Sequence, residues 1–494
     1  MNNIPEVKLG LVAVSRDCFP VELSRTRMNN LANAIEKAGL NVIRCSTVIE
    51  SERDAVAASA EMYEKGANAV VVFLGNFGPE GPTTIFIRRF HGPVMCCAAA
   101  EEDGQNLVNG RGDAFCGMLN LSYNLKLRNL SAHIPERPVG LPEELAKEVI
   151  HFSKVAKVYI GVKNLKVITY GPRPHDFYAC NAPIKPLYDL GVEVMENSEL
   201  DLLDAMKEAE KNSDVDAIAA DMAKELCTGN QYPEMLRKLA CFESALLKSA
   251  ADNAGSRKYV VMANKCWPAF QCDFGFCPCF INARLSSRGM PVACEVDMYG
   301  AVSEYMCQLA TDLPATILDI NNTVPPNMIT KDNLEGFKPA DLFMGFHCGN
   351  TPSCHLREGF AMKYQLIMHR LLEGNVEPNI SRGTLEGYLK PGEVTVFRLQ
   401  STADCQLRGY VADGKVLEME PNSFGSIGVI GVNGLARFYR HVLIGQNFPH
   451  HAAIAFNKCG GVLYDAFKLI TGKTPAFPLP ETMLYPEENP FTSH

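Results

Sequence analysis

The chain has 494 residues, 47% apolar and 21% charged, which suits about three globular domains at roughly 100–200 residues each. Lys and Arg number 47 against 56 Asp and Glu, a formal charge of −9. That balance, without any basic run, disfavours nucleic acid, whose phosphates select a positive surface. Met1 to Lys8 carries Pro5 and Glu6 where a signal peptide would have a basic segment and an apolar stretch, so none is expected. No window holds about eighteen uncharged apolar residues, so a membrane partner is not expected either, and the expected location is the cytoplasm. The 18 cysteines are then expected as thiols, not disulfides.

Lys8 to Val14 reads as a buried strand, followed by the polar turn Ser15-Arg16-Asp17. Met28, Leu31, Ile35 and Ala38 have helical spacing across Arg25 to Ala38. Leu40 to Arg44 is apolar again, and Ala67 to Leu74 and Gly92 to Cys97 read as further strands. Short apolar strands alternating with helices predict a parallel sheet covered on both faces. The pattern restarts after Pro138. Strands are expected at Val158 to Val162, Val167 to Tyr170, Ala217 to Ala220, Val260 to Ala263 and Val292 to Cys294. Helices are expected at Glu199 to Asn212, capped by Ser198, and at Tyr232 to Ala251.

The last part changes character. Gly383 to Gly387, Gly392 to Leu399, Gln406 to Val411 and Gly425 to Val432 are short β runs with Gly-rich turns and no helix between them. They predict an antiparallel sheet or barrel, closed by a helix over Gly460 to Thr471. The expected fold is α/β: two consecutive doubly wound domains, 1–165 and 166–345, then a mainly antiparallel β domain, 346–494. Two glycine patterns do not amount to phosphate loops. Gly75, Gly78 and Gly81 are interrupted by Pro79 and Pro82, and Gly428, Gly431 and Gly434 lie in a β region. Cys266, Cys272, Cys277 and Cys279 lack the paired spacing of a zinc site and are expected as buried thiols.

The chemistry-bearing residues follow apolar strands. Pro291-Val292-Ala293-Cys294 runs into Glu295-Val296-Asp297, and Ala315-Thr316-Ile317-Leu318 runs into Asp319. Ligands bind at the carboxyl ends of strands in open α/β sheets, so neighbouring strands are expected to present Glu295 and Asp319 at one edge. Acids in such places also commonly cap the next segment. Phe448-Pro449-His450-His451 enters another apolar strand. Adjacent strand residues face opposite ways, so only one of the two histidines is expected to share a metal with the acids. Two carboxylates and one imidazole suit Mn²⁺ or Mg²⁺.

These segments resemble the L-fucose isomerase and L-arabinose isomerase family. Ala293-Cys294-Glu295-Val296-Asp297 resembles the fucose isomerase segment whose first acid is a metal ligand, and Asp319 follows at the family's spacing of 24 positions. Pro449-His450-His451 resembles the Pro-His-His of arabinose isomerases, whose second histidine binds metal, and Phe346-His347-Cys348-Gly349 resembles their His-x-Gly stretch. The resemblance implies an aldose–ketose isomerase using Mn²⁺ (or Mg²⁺ or Co²⁺) on an open-chain sugar through an enediol. Glu295, Asp319 and His451 would be the metal ligands, and Glu295 and Asp319 the acid–base pair. Val12 to Arg16 resembles a family turn that reaches the sugar in a neighbouring subunit, which implies a homo-oligomer, a hexamer, with shared sites. Arg16, Asn76, Arg111, Trp267, His347 and His450 would line the sugar.

Gly75 to Pro79 and Cys266 to Gln271 depart from the corresponding family loops, which leaves the substrate open. It would be a pentose, a 6-deoxyhexose, or a modified hexose such as sulfoquinovose, with Arg16 and Arg111 available to an anionic group. The competing reading is a non-catalytic sugar-binding or regulatory protein, since two successive α/β domains also describe such proteins.

Overall fold

Leu9–Val14, Ala69–Leu74 and Val94–Ala99 are six-residue strands buried along their whole length, which is why each reads as one unbroken apolar run. In the computed structural model, which describes residues 2–180 and 182–491, they are β1, β3 and β4 of a five-stranded sheet. Ile43–Arg44 is β2 and Val139–Gly140 is β5. The order is β2-β1-β3-β4-β5 with every pair parallel. Helices Val21–Lys37, Glu52–Glu64, Glu80–Arg89 and Ala114–Leu127 connect the strands, the second opened by a Ser51–Asp54 capping box. These elements make one compact unit, residues Pro5–Ile160 with Asp465–Lys473.

The second compact unit takes in residues 161–464, with 2–4 and 474–491. Its first sheet contains β6 (Leu165–Tyr170), β7 (Glu193–Asn197), β8 (Tyr259–Asn264) and β9 (Val292–Cys294), all parallel in the order β7-β6-β8-β9. Helices Glu199–Ala209 and Leu236–Asn253 belong to this part, and Ser198 caps the first through a capping box with Asp201. Helix Met298–Thr311 leads from β9 to the next sheet.

That sheet holds β10 (Ala315–Asn322), β11 (Leu342–His347), β12 (Ala361–Tyr364), β13 (Arg382–Tyr388), β14 (Gly392–Ser401), β15 (Leu407–Val416), β16 (Ser426–Gly431) and β17 (His451–Ala455). Its order is β11-β10-β17-β14-β15-β16-β13-β12, and β11 also pairs antiparallel with β16. The extra pairing closes six strands into a barrel, with β13 and β12 as an extension. Closure removes the edges that an open antiparallel sheet would expose. The strands β10 and β11 begin before residue 346 in sequence yet are staves of this barrel. Helix Gly460–Thr471 follows β17.

Two expected strands are helical. Val158 to Val162 ends the helix Pro142–Lys163, and Ala217 to Ala220 lies inside the helix Val215–Leu226. Buried Leu145, Val149, Phe152 and Ala156 carry a helical period into the first. Val215, Met222 and Leu226 do the same in the second. A short apolar stretch taken alone cannot distinguish the two structures. All 18 cysteines are free thiols, with Cys266, Cys277 and Cys279 buried and Cys272 exposed. Among the described residues no helix is long and apolar enough to cross a membrane.

Packing tolerances in the first unit can be tested at two helical glycines. A Cβ on Gly117 would lie 2.1 Å from the Phe77 carbonyl oxygen, whereas one on Gly81 meets nothing within 4 Å. Gly117→Ala should destabilise by about 1–3 kcal/mol through overpacking. Gly81→Ala should stabilise by about 0.4–1 kcal/mol by restricting the unfolded chain. Denaturant unfolding of the two variants checks the opposite signs.

Acid should also weaken the fold. Burial pushes His133 down to about 4, from an ordinary 6.5, and its Nε2 has no hydrogen-bond partner. Protonation therefore favours the unfolded chain, so this stability is complete above pH 6.5 and is lost as pH falls towards 4. Burial sets His355, in the second unit, at about 4 as well. Unfolding free energy measured from pH 7 to 4 should fall, and His133→Phe should flatten the dependence.

Candidate active site

The strand β9 ends at Cys294, and the chain then turns through two left-handed residues, Glu295 (φ 62°) and Val296 (φ 59°). A β-branched residue there costs on the order of 1–3 kcal/mol and persists only where neighbours fix it. Helix Met298–Thr311 fixes one end of the turn, its N-terminus capped by Asp297, whose Oδ1 accepts from the Gly300 amide at 2.8 Å. The Glu295 side chain is thereby aimed at the barrel.

Barrel register supplies the other groups. Asp319 on β10 is the direct antiparallel partner of His451 on β17. Glu295 and Asp319 thus do not come from neighbouring strands of one sheet: Glu295 follows the parallel sheet, and Asp319 lies on a barrel stave that pairs with β11 and β17. His451 Nε2 is 3.0 Å from Glu295 Oε2 and 3.5 Å from Asp319 Oδ1. These three atoms are buried, and none makes a hydrogen bond. The other side of the ring, Nδ1, is 2.8 Å from Asp297 Oδ2.

Surrounding side chains limit what each group can do. Trp267 Nε1 donates to Glu295 Oε1 at 3.2 Å, leaving Oε2 for the cluster. His450 Nε2 is 3.6 Å from Asp319 Oδ1, and Phe177 sets its ring edge-on to both His450 and Trp267. His347 lies 5.6 Å from His451, ring to ring, and its Nδ1 accepts from the Cys348 amide at 2.9 Å. A neutral imidazole accepting at Nδ1 carries its proton on Nε2 and can donate there. Beyond His450, a cavity of about 390 Å³ is lined by Ile320, Tyr439, Leu443 and Phe448, among others.

Charge in the site is tightly set. Burial raises the Asp297 carboxyl, but Arg398 and His451 outweigh it and hold the group well below the usual carboxylate range. Burial likewise opposes ionisation of Glu295, and the His451 contact reverses the balance downwards. Glu304, on the same helix as the Asp297 cap, has no such partner, and burial drives it well above its ordinary value. Two sets of side chains can each bring three ligand atoms within 4.8 Å: Cys180, Glu295 and His451, and Asp319, His347 and His451. His451 is common to both sets, while Glu295 and Asp319 fall in different ones. Carboxylate oxygens and imidazole nitrogen suit Mn²⁺, Mg²⁺ or Co²⁺, and the buried, partnerless Nε2 of His451 with a carboxylate oxygen on either side fits such an ion. Neither set includes Cys266, Cys272, Cys277 or Cys279.

The second unit thus brings together Glu295, Asp319, His451, His450, His347 and Trp267. The remaining three residues lie in the first unit. Asn76 is buried after β3, its Oδ1 accepting from the Arg16 amide and its Nδ2 donating to Ser15 Oγ. Arg16 is half-exposed over the Phe77 ring, 4.9 Å from its centroid. Arg111 is exposed beside Asp113 and precedes Gly112, whose added Cβ would lie 3.2 Å from Asn76 Cα. This turn sits where the strand order reverses, between β1 and β3, the usual ligand crevice of such sheets. Sequence reasoning missed Asp297, Arg398, Cys180 and Phe177. A lone charge inside the apolar strand Val394 to Leu399 was a usable signal for Arg398, and Asp297 lay two residues past Glu295. Nothing in the sequence marked the other two.

The second unit thus joins a parallel sheet to a six-stranded barrel, with Glu295, Asp319 and His451 near one another. Residues 10–163 match the fucose/sulfoquinovose isomerase N-terminal domain, and residues 345–474 match the L-fucose isomerase C-terminal domain. Together they take in more than half of the chain, which belongs to the fucose isomerase family. Sulfoquinovose isomerases from Alkalicoccus urumqiensis and Priestia megaterium are each 26% identical, over 322 and 324 residues. The matched region is 64% of this chain and 66% of each relative, so the chain spans just under two thirds of their length. The sulfoquinovose isomerase of a Clostridium species is 26% identical over 59% of this chain and 60% of its own. A solved conserved domain protein from Vibrio cholerae aligns at 14% identity over 58% of this chain and 89% of its own, with a TM-score of 0.15, too low to bear on the fold.

Proposed function

We propose that this protein is a divalent-metal-dependent aldose–ketose isomerase acting on an open-chain sugar. The observation that carries the reading is the approach of Glu295 Oε2 and Asp319 Oδ1 to His451 Nε2, at 3.0 and 3.5 Å, all three atoms buried and without hydrogen-bond partners. Leaving such atoms unsatisfied costs about 1–3 kcal/mol each, a cost that a sugar-binding protein without catalysis has no use for. Mn²⁺ is the preferred ion, with Mg²⁺ and Co²⁺ as alternatives. When bound, the ion supplies Lewis-acid stabilisation of charge on the sugar oxygens.

One carboxylate of the Glu295/Asp319 pair removes the proton from C2 and returns it to C1. The other transfers the hydroxyl proton from O2 to O1, so the sugar passes through an enediol with no net change in atoms. His347 offers its Nε2–H to a sugar oxygen, and Trp267 and His450 line the pocket. The substrate is a pentose, a 6-deoxyhexose or a modified hexose. The relatives' name favours sulfoquinovose, whose sulfonate would call for a cation such as Arg16 or Arg111.

The three stretches 1–165, 166–345 and 346–494 then divide the work. The first contributes Arg16 and Asn76, the second Glu295 and Asp319, and the third His451. The protein works as a homo-oligomer, a hexamer, in which Arg16 with Asn76 behind it reaches a neighbour's sugar. An exposed apolar row on helix Ala114–Leu127, with Phe115, Leu119, Tyr123 and Leu127 each 65–71% exposed, is surface that a second copy would cover.

Glu295→Gln, Asp319→Asn and His451→Ala should each lower turnover by about 10²–10⁴-fold or more and weaken Mn²⁺ binding in calorimetry. His450 reaches the same Asp319 oxygen, at 3.6 Å, but belongs to neither candidate ligand set, so His450→Ala should retain most of the metal affinity. Near wild-type turnover by Asp319→Asn would defeat the assignment.

Subunit sharing has its own test. Arg16→Ala should keep its metal and lose affinity for sugar. Mixing it with Asp319→Asn subunits should restore part of the activity, since a mixed pair contains one intact site. A fully active monomer, or mixtures that never recover, would remove the shared-site proposal.

A further inference from the structure

Arg398 is fully buried on β14, inside the barrel. Its two terminal nitrogens bond Asp297 Oδ2 at 2.7 Å and Oδ1 at 2.8 Å, and its Nε donates to Gln400 Oε1 at 3.0 Å. Asp297 also accepts from the Gly300 amide and meets His451 Nδ1 at 2.8 Å. Four donors thus take up the roughly four acceptor positions of one carboxylate, which cannot swing away. With its oxygens already accepting from Arg398 and Gly300, Asp297 is an acceptor towards His451 as well, which places a proton on Nδ1. The lone pair is then on Nε2, the atom that faces Glu295 and Asp319.

Gly300 makes this approach possible. A Cβ there would lie 2.5 Å from Asp297 Oδ2 and 3.1 Å from the nearer Arg398 nitrogen. The network is therefore built from three elements: the cap of helix Met298–Thr311, its third residue, and a barrel strand.

We infer that Asp297 and Arg398 are positioning residues for the metal-binding histidine, Arg398 locking the Asp297 carboxylate and Asp297 fixing the tautomer and ring direction of His451. This inference rests on the proposed metal centre. Where a carboxylate orients a ligating histidine in this way, its loss typically costs 10–100-fold in metal affinity.

The test is calorimetric titration of Mn²⁺ into the full chain, for wild type, Glu295→Gln, Asp297→Asn, Gly300→Ala and the double variant Asp297→Asn/Arg398→Met. Thermal unfolding without metal identifies which variants are folded. Asp297→Asn keeps the helix cap, because an amide oxygen still accepts from Gly300. The double variant leaves no unpaired buried charge should the single one fail to fold. Gly300→Ala alters no charged or ligating group. The folded Asp297 and Gly300 variants should bind Mn²⁺ 10–100-fold more weakly than wild type. At saturating Mn²⁺, turnover should recover while the KM for sugar stays unchanged, a split that a general loss of structure would not produce. Wild-type affinity in any folded Asp297 variant, with binding lost in Glu295→Gln, would overturn the inference and leave the metal centre standing. A wild-type chain that binds no Mn²⁺ would instead remove the metal centre itself.

Discussion

Antiparallel pairing of β10 with β17 sets Asp319 directly opposite His451, and the rest of the site is arranged around that pair. Because both strands belong to a closed barrel, their register cannot slip without turning every side chain to the other face. Ile317 and Leu318 on one strand and Ala452 and Ala453 on the other are fully or almost fully buried, so a slip would expose core on one side and bury polar groups on the other. The position of two functional groups thus follows from packing that has no chemical role of its own.

Glu295 arrives by a different route. It lies on a strained turn between the parallel sheet and the helix that leads into the barrel. Two successive left-handed residues hold their conformation only because both flanks are fixed: β9 is paired to β8, and Asp297 caps the helix. The same cap carboxylate bonds Arg398 from the barrel wall. One carboxylate therefore joins the two sheets of the second unit, and deforming the Glu295 turn would require breaking a buried charged pair. Breaking such a pair by removing one partner typically costs about 3–5 kcal/mol.

Much of this was legible in the sequence because strands buried on both faces, or lining a barrel, leave continuous apolar runs that end where a carboxylate or imidazole appears. Val292–Cys294 and Gly460–Thr471 lie where the pattern puts them, whereas the strand expected to end at Asp319 runs on to Asn322, so Asp319 lies within it. Val158 to Val162 and Ala217 to Ala220 were misread because each is the apolar stripe of a longer helix. The expectation of one shared sheet edge for Glu295 and Asp319 failed for a topological reason. Sequence order tells which strand comes next but not which sheet it joins, and here the helix between them carries the chain from one sheet to the other. The lone charge of Arg398 in an apolar strand was visible, but its role was hidden for a related reason: its partner lies a hundred positions earlier, and only the fold brings them together.

The contrast between strand-borne and turn-borne groups bears on how such a site accepts an ion. Asp319 and His451 are set by barrel register, and His451 is further held by Asp297, so neither can move far. Glu295 instead comes from the turn, its Oε1 accepting from the Trp267 indole and its Oε2 lying 3.0 Å from His451 Nε2. Trp267 in turn packs edge-on against Phe177, outside the barrel staves. Adjustment to ions of different radius would therefore fall on Glu295 and its aromatic neighbours, with the barrel pair serving as the fixed reference. In the proposed metal centre, such a division would keep two ligands rigid enough to define the geometry and leave the third to complete it, which suits the proposed role of that carboxylate in proton exchange.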